Sequence, residues 1–363
     1  MSHVLNAPDK FKGSLTATEV AEAVARGIRR VAPSIEVRIS PVADGGEGTL
    51  DAALAVGFRR VEVRVSGPTG APVVAAIAVR GPAAVVELAA ASGLALLPGG
   101  RPAPLAASSR GTGELIRAAL DAGCTDIVLG VGGSASTDGG AGMLEALGVR
   151  LLGAQPSPGG AALTGLERID RTGLDRRLAG IRLTLASDVA NPLLGPEGAA
   201  RIYGPQKGAS AADVEALERG LSRWAAVVAP EDAERPGAGA AGGVGFAALS
   251  VLGARFRSGA DVVLDLIGFD EHLAGARLVV TGEGALDEQT AYGKAPAVVA
   301  RRANAAGVPV VAVCGRSTLA PEAAGFRRVY ALSDLEPDPQ RSMAHAAGLV
   351  EQVGSRIAAD WPG

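Results

Sequence analysis

The sequence is poor in cysteine, histidine, lysine and aromatic residues, and it carries no long apolar run. Cys124 and Cys314 belong to no CxxC pair. That excludes a disulfide framework and reads as two free thiols of a reducing compartment. His3, His272 and His345 form neither HxH nor HExxH, so no zinc motif is present. Aromatics at 3% offer no stacking platform for bases or sugars. A formal net charge of -3 and a pI near 5.8 lack the footprint of a partner that is nucleic acid or anionic membrane. No run reaches the ~18 uninterrupted apolar residues of a membrane span. The opening Met1-Ser2-His3-Val4-Leu5-Asn6 has neither the basic nor the apolar part of a signal peptide. The expectation is a cytoplasmic protein without membrane or nucleic-acid partners.

What is present points to an ordered α/β chain. Its 363 residues suggest about two domains, and 48% apolar with 20% charged residues suffices for a sizeable core. Glycine accounts for 51 residues, roughly twice the usual ~7%, yet with 22 prolines the total stays below the ~25–30% of low-complexity chains. Glycine is therefore expected in loops that bring backbone close to something. Of 35 basic residues only Lys10, Lys12, Lys207 and Lys294 are lysine, and each lies in a short Gly-containing segment. Lysine is a compact charge suited to phosphate, so its retention in loops hints at anion handling; codon bias is the alternative.

The chain opens β-α-β. Val4-Leu5 enter a strand, Thr16 to Glu19 form a capping box before a helix stopped by Pro33, and Ile35, Val37 and Ile39 alternate as a strand. Near residue 60 the pattern changes. Val61, Val63 and Val65, the turn Gly67-Pro68-Thr69-Gly70 and then Val73 to Val79 read as an antiparallel hairpin. Past residue 260 the chain returns to βαβ, with strands at Leu278 to Val280, Val308 to Val313 and Val329 to Leu332, and a helix over Ala295 to Ala306. Crossovers of this length imply parallel pairing. The expected architecture is a doubly wound α/β domain made of 1–60 and 261–363, with 61–260 as an inserted α/β domain. Gln155 to Ala162 and Arg235 to Gly245 read as loops or hinges.

Several strands run into loops dense in glycine and carboxylates, where open α/β sheets bind ligands. Asp44 and Glu47 flank a Gly-Gly turn; together they suit Mg²⁺ or a sugar-like hydroxyl, or else Glu47 simply opens a helix. Gly132-Gly133-Ser134 and Asp138-Gly139-Gly140 lie between a strand and a helix expected from Met143 or earlier, the place for a phosphate cradle or for a tight structural turn. Asp188 follows the strand Arg182 to Ala186, where a general base or an Asx turn would sit, and Asn191 could orient a hydroxyl. Thr281-Gly282-Glu283-Gly284, Asp287 and Gly293-Lys294 combine acid and cation within one expected loop, an inventory suited to phosphoryl transfer. The first Walker glycine is missing, since position 288 is Glu, so this is no P-loop.

Taken in order, these segments resemble the bacterial glycerate kinase family that makes 2-phosphoglycerate. The match rests on Ala7-Pro8-Asp9-Lys10-Phe11-Lys12-Gly13, Ala43-Asp44-Gly45-Gly46-Glu47-Gly48 and Ser109-Arg110-Gly111-Thr112-Gly113-Glu114. It continues through Gly132-Gly133-Ser134 with Asp138-Gly139-Gly140, Ser187-Asp188-Val189 with Asn191-Pro192-Leu193, Tyr203-Gly204-Pro205-Gln206-Lys207-Gly208, Pro236 to Gly243, and Thr281-Gly282-Glu283-Gly284 with Gly293-Lys294. Ser136-Thr137 stands where the family pattern has Thr-Asn, and Ser187 and Ala190 where it has Cys and Thr; these departures bear on fine specificity. The resemblance implies a flavodoxin-like domain built from both chain ends and an inserted domain resembling the restriction-enzyme fold. It implies Mg²⁺-dependent transfer of the ATP γ-phosphoryl to D-glycerate, in a cleft between domains that excludes water. Expected roles are Asp188, Lys10 and Lys294 in catalysis, with Asp9, Arg110, Asn191 and Lys207 binding substrate. Gly132, Gly133, Ser134, Asp138, Gly139, Gly282, Glu283 and Gly284 would bind nucleotide, and Asp44, Glu47 and Asp287 the metal. The rivals are a 3-phosphoglycerate-forming or other hydroxy-acid kinase, a phosphatase or phosphosugar isomerase, and a non-enzymatic sugar-acid sensor. A homo-oligomer is left open.

Overall fold

Short apolar strands alternate with amphipathic helices at both ends of the chain, and in the computed structural model they assemble into one unit, Met1–Asp44 with Ala260–Gly363; Gly45–Gly259 form a second. Residues 2–154, 159–291 and 293–361 are described; the expected loop positions 155–158 and Tyr292 lie outside them. The architecture is mixed α/β, with one wholly parallel and one mixed main sheet. No described helix is long and apolar enough to cross a membrane.

The first unit holds a five-stranded sheet in the order Arg328–Ala331, Val310–Ser317, Ala276–Leu286, His3–Asn6, Glu36–Ile39. Every adjacent pair is parallel. Counted along this unit's own chain, the spatial order is second, first, third, fourth, fifth. It therefore reverses direction between the first and third strands, where open α/β sheets leave a crevice beyond the carboxyl ends. The helix Ala17–Val31 begins with the capping box, Thr16 and Glu19 bonding each other's backbone N–H. Its Val20, Val24 and Ile28 are buried with Leu349, Val350, Val353 and Ile357 of the helix Ala346–Asp360 in one apolar cluster. Each such side chain contributes about 1.5–3 kcal/mol through burial.

One strand is longer than its sequence suggests. Thr281 to Leu286, expected as a loop, continue the strand Ala276–Leu286, and Thr281, Gly282 and Glu283 pair with Ala312, Val313 and Cys314. Glycine at 282 permits this, because a Cβ there would lie 1.8 Å from the Val313 carbonyl oxygen.

The second unit holds a six-stranded sheet in the order Arg255–Arg257, Arg182–Ala186, Asp126–Gly130, Ala83–Glu87, Pro72–Arg80, Arg59–Ser66. The first four strands are parallel, and the last two form the antiparallel hairpin. The division falls after Asp44 rather than near residue 60. The helix Thr49–Ala55 packs on the strands Ala83–Glu87 and Pro72–Arg80, and its Leu50 N–H donates to the buried Glu87 carboxylate. The hairpin's alternation thus marks the start of antiparallel pairing, not the start of the unit. Ala240–Ser250, partly expected as loop, is a helix whose first turn departs from helical geometry at Ala241, Gly242 and Gly243.

Candidate functional site

In the first unit, backbone pairing carries three carboxylates to the sheet reversal. Beyond the strand His3–Asn6, Ala7 N–H donates to the Val280 carbonyl at 2.7 Å and Asp9 N–H to the Gly282 carbonyl at 2.8 Å. Ser40 N–H donates to the Asn6 carbonyl and Val42 N–H to the Pro8 carbonyl, which fixes the approach to Asp44. Thr281 Oγ1 donates to the Ala7 carbonyl at 2.8 Å. Asp9 is only 6% exposed, and Lys10 N–H donates to its Oδ1 at 2.6 Å. Burial pushes the Asp9 carboxyl up to about 7, and the negative charges of Asp44 and Glu283 add to this against the opposing pull of Lys10. Burial likewise raises Glu283, although Thr290 Oγ1 donates to its Oε1 at 2.6 Å and Lys294 Nζ lies 3.7 Å from its Oε2. Lys294 also stands 3.8 Å from Asp287 Oδ1 and occupies the N-cap position of the helix Ala295–Ala305. The expected residues Asp9, Lys10, Asp44, Glu283, Asp287 and Lys294 thus share this one unit.

The second unit's glycine-rich loop divides into an open and a buried half. Gly132 is half-buried and Gly133 exposed, while Ser134 to Gly142 are buried. Gly132 N–H donates to the Gly45 carbonyl at 3.3 Å, and a Cβ on Gly133 would stand 3.5 Å from Glu47 Oε1. Asp138, expected at a nucleotide, is committed to the protein itself. Its Oδ2 accepts from Ser109 N–H at 2.8 Å, Ser109 Oγ at 2.8 Å, Gly142 N–H at 3.2 Å and Ser108 Oγ at 3.4 Å, and its Oδ1 accepts from Gly140 N–H at 3.1 Å. It thereby ties the start of the helix Ala141–Ala146 to the start of Arg110–Asp121. Gly139 lies under Trp224, whose Nε1 donates to the Gly139 carbonyl at 3.0 Å. Lys207 is 2% exposed; its Nζ donates to Ser134 Oγ at 2.8 Å and to the Ser136 carbonyl at 2.6 Å. Burial pushes this amine down to about 7, with Asp138 acting in the opposite sense.

Three further candidates belong to the second unit. Asp188 stands just past the strand Arg182–Ala186 and accepts from Ser258 Oγ at 3.0 Å. Asn191 Nδ2 donates to the Glu197 carbonyl at 2.9 Å, and its Oδ1 accepts from Tyr203 at 2.6 Å, so its amide braces a turn. Arg110 opens the helix Arg110–Asp121; its half-exposed side chain lies 3.4 Å from Glu114, which also accepts from Ser66. Sequence reasoning missed Ser258, Thr290, Ser109 and Trp224 as supports. Only Ser109, immediately before a helix, carried a local signal. Among the described residues no three His, Cys, Asp or Glu side chains gather closely enough to hold a metal ion unaided. Mg²⁺ is commonly held by one or two carboxylates plus phosphates and water, and hard-oxygen donors such as Asp44 fit that mode.

Phosphoryl transfer asks for carboxylates, ammonium groups and a closely approached backbone, placed rather than reactive. Each unit by itself holds groups of that kind: carboxylates and a lysine near the strand ends of the first, a glycine turn in the second. Comparison with known proteins gives the class. The profile described as Glycerate kinase family matches residues 4–362. Glycerate kinase of Bacillus subtilis (strain 168) is 44% identical over 98% of this chain and 97% of its own length. Glycerate 2-kinase of Escherichia coli (strain K12) is 45% identical over 87% of this chain and 85% of its own. A crystal structure from Salmonella typhimurium LT2, described as a glycerate kinase 2, superposes with a TM-score of 0.84 at 41% identity, covering 99% of this chain and 98% of that one. The chain belongs to the glycerate kinase family.

Proposed function

We propose that this protein transfers the γ-phosphoryl group of ATP to D-glycerate in the presence of Mg²⁺, giving 2-phosphoglycerate and ADP. The observation that carries the reading is the end-to-end family match, and the name of the E. coli relative favours the 2-product. Asp188, held by Ser258, accepts the proton of the attacking hydroxyl. Arg110, oriented by Glu114, pairs with the substrate carboxylate. Lys10 and Lys294 neutralise phosphate charge, and Asp9 bonds the substrate. The exposed Gly132–Gly133 turn approaches the nucleotide phosphates, and Gly284 and Glu283 form part of the nucleotide contact. Gly282, Asp138, Gly139 and Asn191 support these groups through the internal contacts described above. Asp44, Glu47 and Asp287 are the carboxylates that would hold Mg²⁺, which when bound offsets the charge developing on the transferred phosphoryl. The first unit is read as flavodoxin-like, consistent with its strand order, and the second as an insertion resembling the restriction-enzyme fold. A cytoplasmic location belongs to the same reading.

The test is ³¹P NMR of products from the purified protein with MgATP and D-glycerate. A 2-phosphoglycerate resonance is expected. A 3-phosphoglycerate resonance would keep the kinase and change the acceptor hydroxyl. Intact ATP would move the search to other small hydroxy acids.

A further inference from the structure

Lysine is an unexpected occupant of a protein interior. Removing its ammonium from water costs several kcal/mol unless donors are matched, and an apolar side chain of similar size is often as stable. Lys207 is nonetheless 2% exposed, in a chain that uses arginine for nearly all its positive charge. Its placement is specific. It ends the short turn Pro205–Lys207, and its Nζ reaches Ser134 Oγ and the Ser136 carbonyl, residues more than seventy positions earlier. Both acceptors belong to the buried half of the glycine loop, and Ser134 immediately follows the open Gly132–Gly133 turn.

A second segment also holds that half. Gly242, second in the left-handed run Ala241, Gly242, Gly243, packs so tightly that a Cβ would lie 2.1 Å from the Ser136 carbonyl oxygen. Its own carbonyl accepts from Gly139 N–H at 2.9 Å. Ala241 holds φ 53°, the only positive φ outside glycine among the described residues. Such strain persists where the surroundings over-determine it. The titratable neighbour on the loop itself is Asp138, whose charge favours the protonated amine.

We propose that Lys207 is a positioning residue, clamping Ser134 and Ser136 so that the Gly132–Gly133 turn keeps its nucleotide-binding geometry. This replaces the direct substrate contact expected from sequence, and it rests on the reading that the loop serves phosphoryl transfer. Loss of the clamp loosens ATP binding and leaves D-glycerate binding almost untouched.

The experiment compares wild type, Lys207→Met, Ser134→Ala and the double variant in steady-state kinetics, with MgATP binding by calorimetry and Tm for each. Lys207→Met is expected to raise KM for ATP at least 10-fold, with KM for D-glycerate within twofold and kcat within threefold. Ser134→Ala raises KM for ATP by at least threefold, and the double variant is no worse than Lys207→Met alone. A rise in KM for D-glycerate with unchanged KM for ATP would make Lys207 a substrate contact and overturn the clamp. A lower Tm with both KM values unchanged would leave it merely structural, again overturning the clamp. Should Lys207→Met not fold, an unaltered KM for ATP in Ser134→Ala overturns the proposal by itself. A wild type that binds MgATP but does not turn it over with D-glycerate overturns the substrate reading; calorimetry of the variants then decides the clamp. A wild type that binds no MgATP overturns both.

Discussion

Each unit buries an ionisable side chain whose proton affinity is strongly shifted, and the two are opposite in sign. In the first, Asp9 sits among other carboxylates at the ends of parallel strands and is pushed up to about 7. In the second, Lys207 sits under a loop among neutral acceptors and is pushed down to about 7. Asp9 is delivered by backbone pairing, and its surroundings include Lys10, Asp44 and Glu283. Lys207 is delivered by a turn; its hydrogen-bond acceptors are serine and peptide oxygens, and Asp138 is the charge nearby. The contrast separates two ways of building a site. One concentrates charge and depends on protonation. The other fixes backbone and depends on fit.

The largest effect that would sharpen this contrast is on turnover. Asp188→Asn is expected to lower kcat by ~10²-fold or more, since it removes the proposed base while keeping the shape. A near-wild-type kcat in the steady-state assay would remove Asp188 from that role. Next comes the buried half of the loop. Gly139 has φ 65°, and a Cβ there would lie 2.6 Å from Trp224 Cδ1, so Gly139→Ala should lose roughly 3 kcal/mol in denaturant unfolding. A loss below about 1 kcal/mol would show that Trp224 yields easily.

The third effect separates the units by pH. Asp9 binds its proton more tightly folded than unfolded, so native stability falls as pH rises from about 4 to about 7. Asp9→Asn removes that slope. In ligand-free protein its Tm should exceed wild type by several degrees at pH 8 and by much less at pH 4. The reverse order would contradict the crowded-carboxylate picture. Lys207 has the other sign: its proton is held less tightly in the fold, so its share of stability rises between pH 7 and 10 and is absent from Lys207→Met. The smallest effect is Gly133→Ala on the open half. Its left-handed φ of 76° costs about 1 kcal/mol, but its nearest neighbour, Ala89 Cβ, would lie at 3.3 Å. KM for ATP should rise severalfold while Tm barely moves; a large Tm loss would mean that the open turn is as rigidly packed as the buried one.

Much of the scaffold was legible because it is written locally. The Thr16 capping box, the Val61 to Val79 hairpin and the apolar strands near 127, 183 and 310 carry their periods in adjacent residues. Positions just past strand ends could also be read, and that is what singled out Asp44 and Asp188 as candidates. What escaped depends on distant partners. Glycine at 282 looks like part of a loop until the Val313 carbonyl shows why the strand needs it. Asp138 looks available until Ser108 and Ser109, about thirty residues earlier, fold onto it. Lys207 looks like a substrate-binding cation because the acceptors that hold it lie in another segment. The unit junction was displaced because helix Thr49–Ala55 is short and its attachment to Glu87 is a tertiary contact.

The first unit's middle strand, Ala276–Leu286, pairs with His3–Asn6, and the helix Ala346–Asp360 covers the buried face of Ala17–Val31. Seen as an order of events on a ribosome, this gives the early segments a long wait. At ~5–20 residues per second, on the order of ten seconds or more separates synthesis of the first two strands from that of their later partners. The second unit is contiguous and can fold during that interval. Until then Val20, Val24 and Ile28 lack the residues of the last helix that bury them in the finished fold.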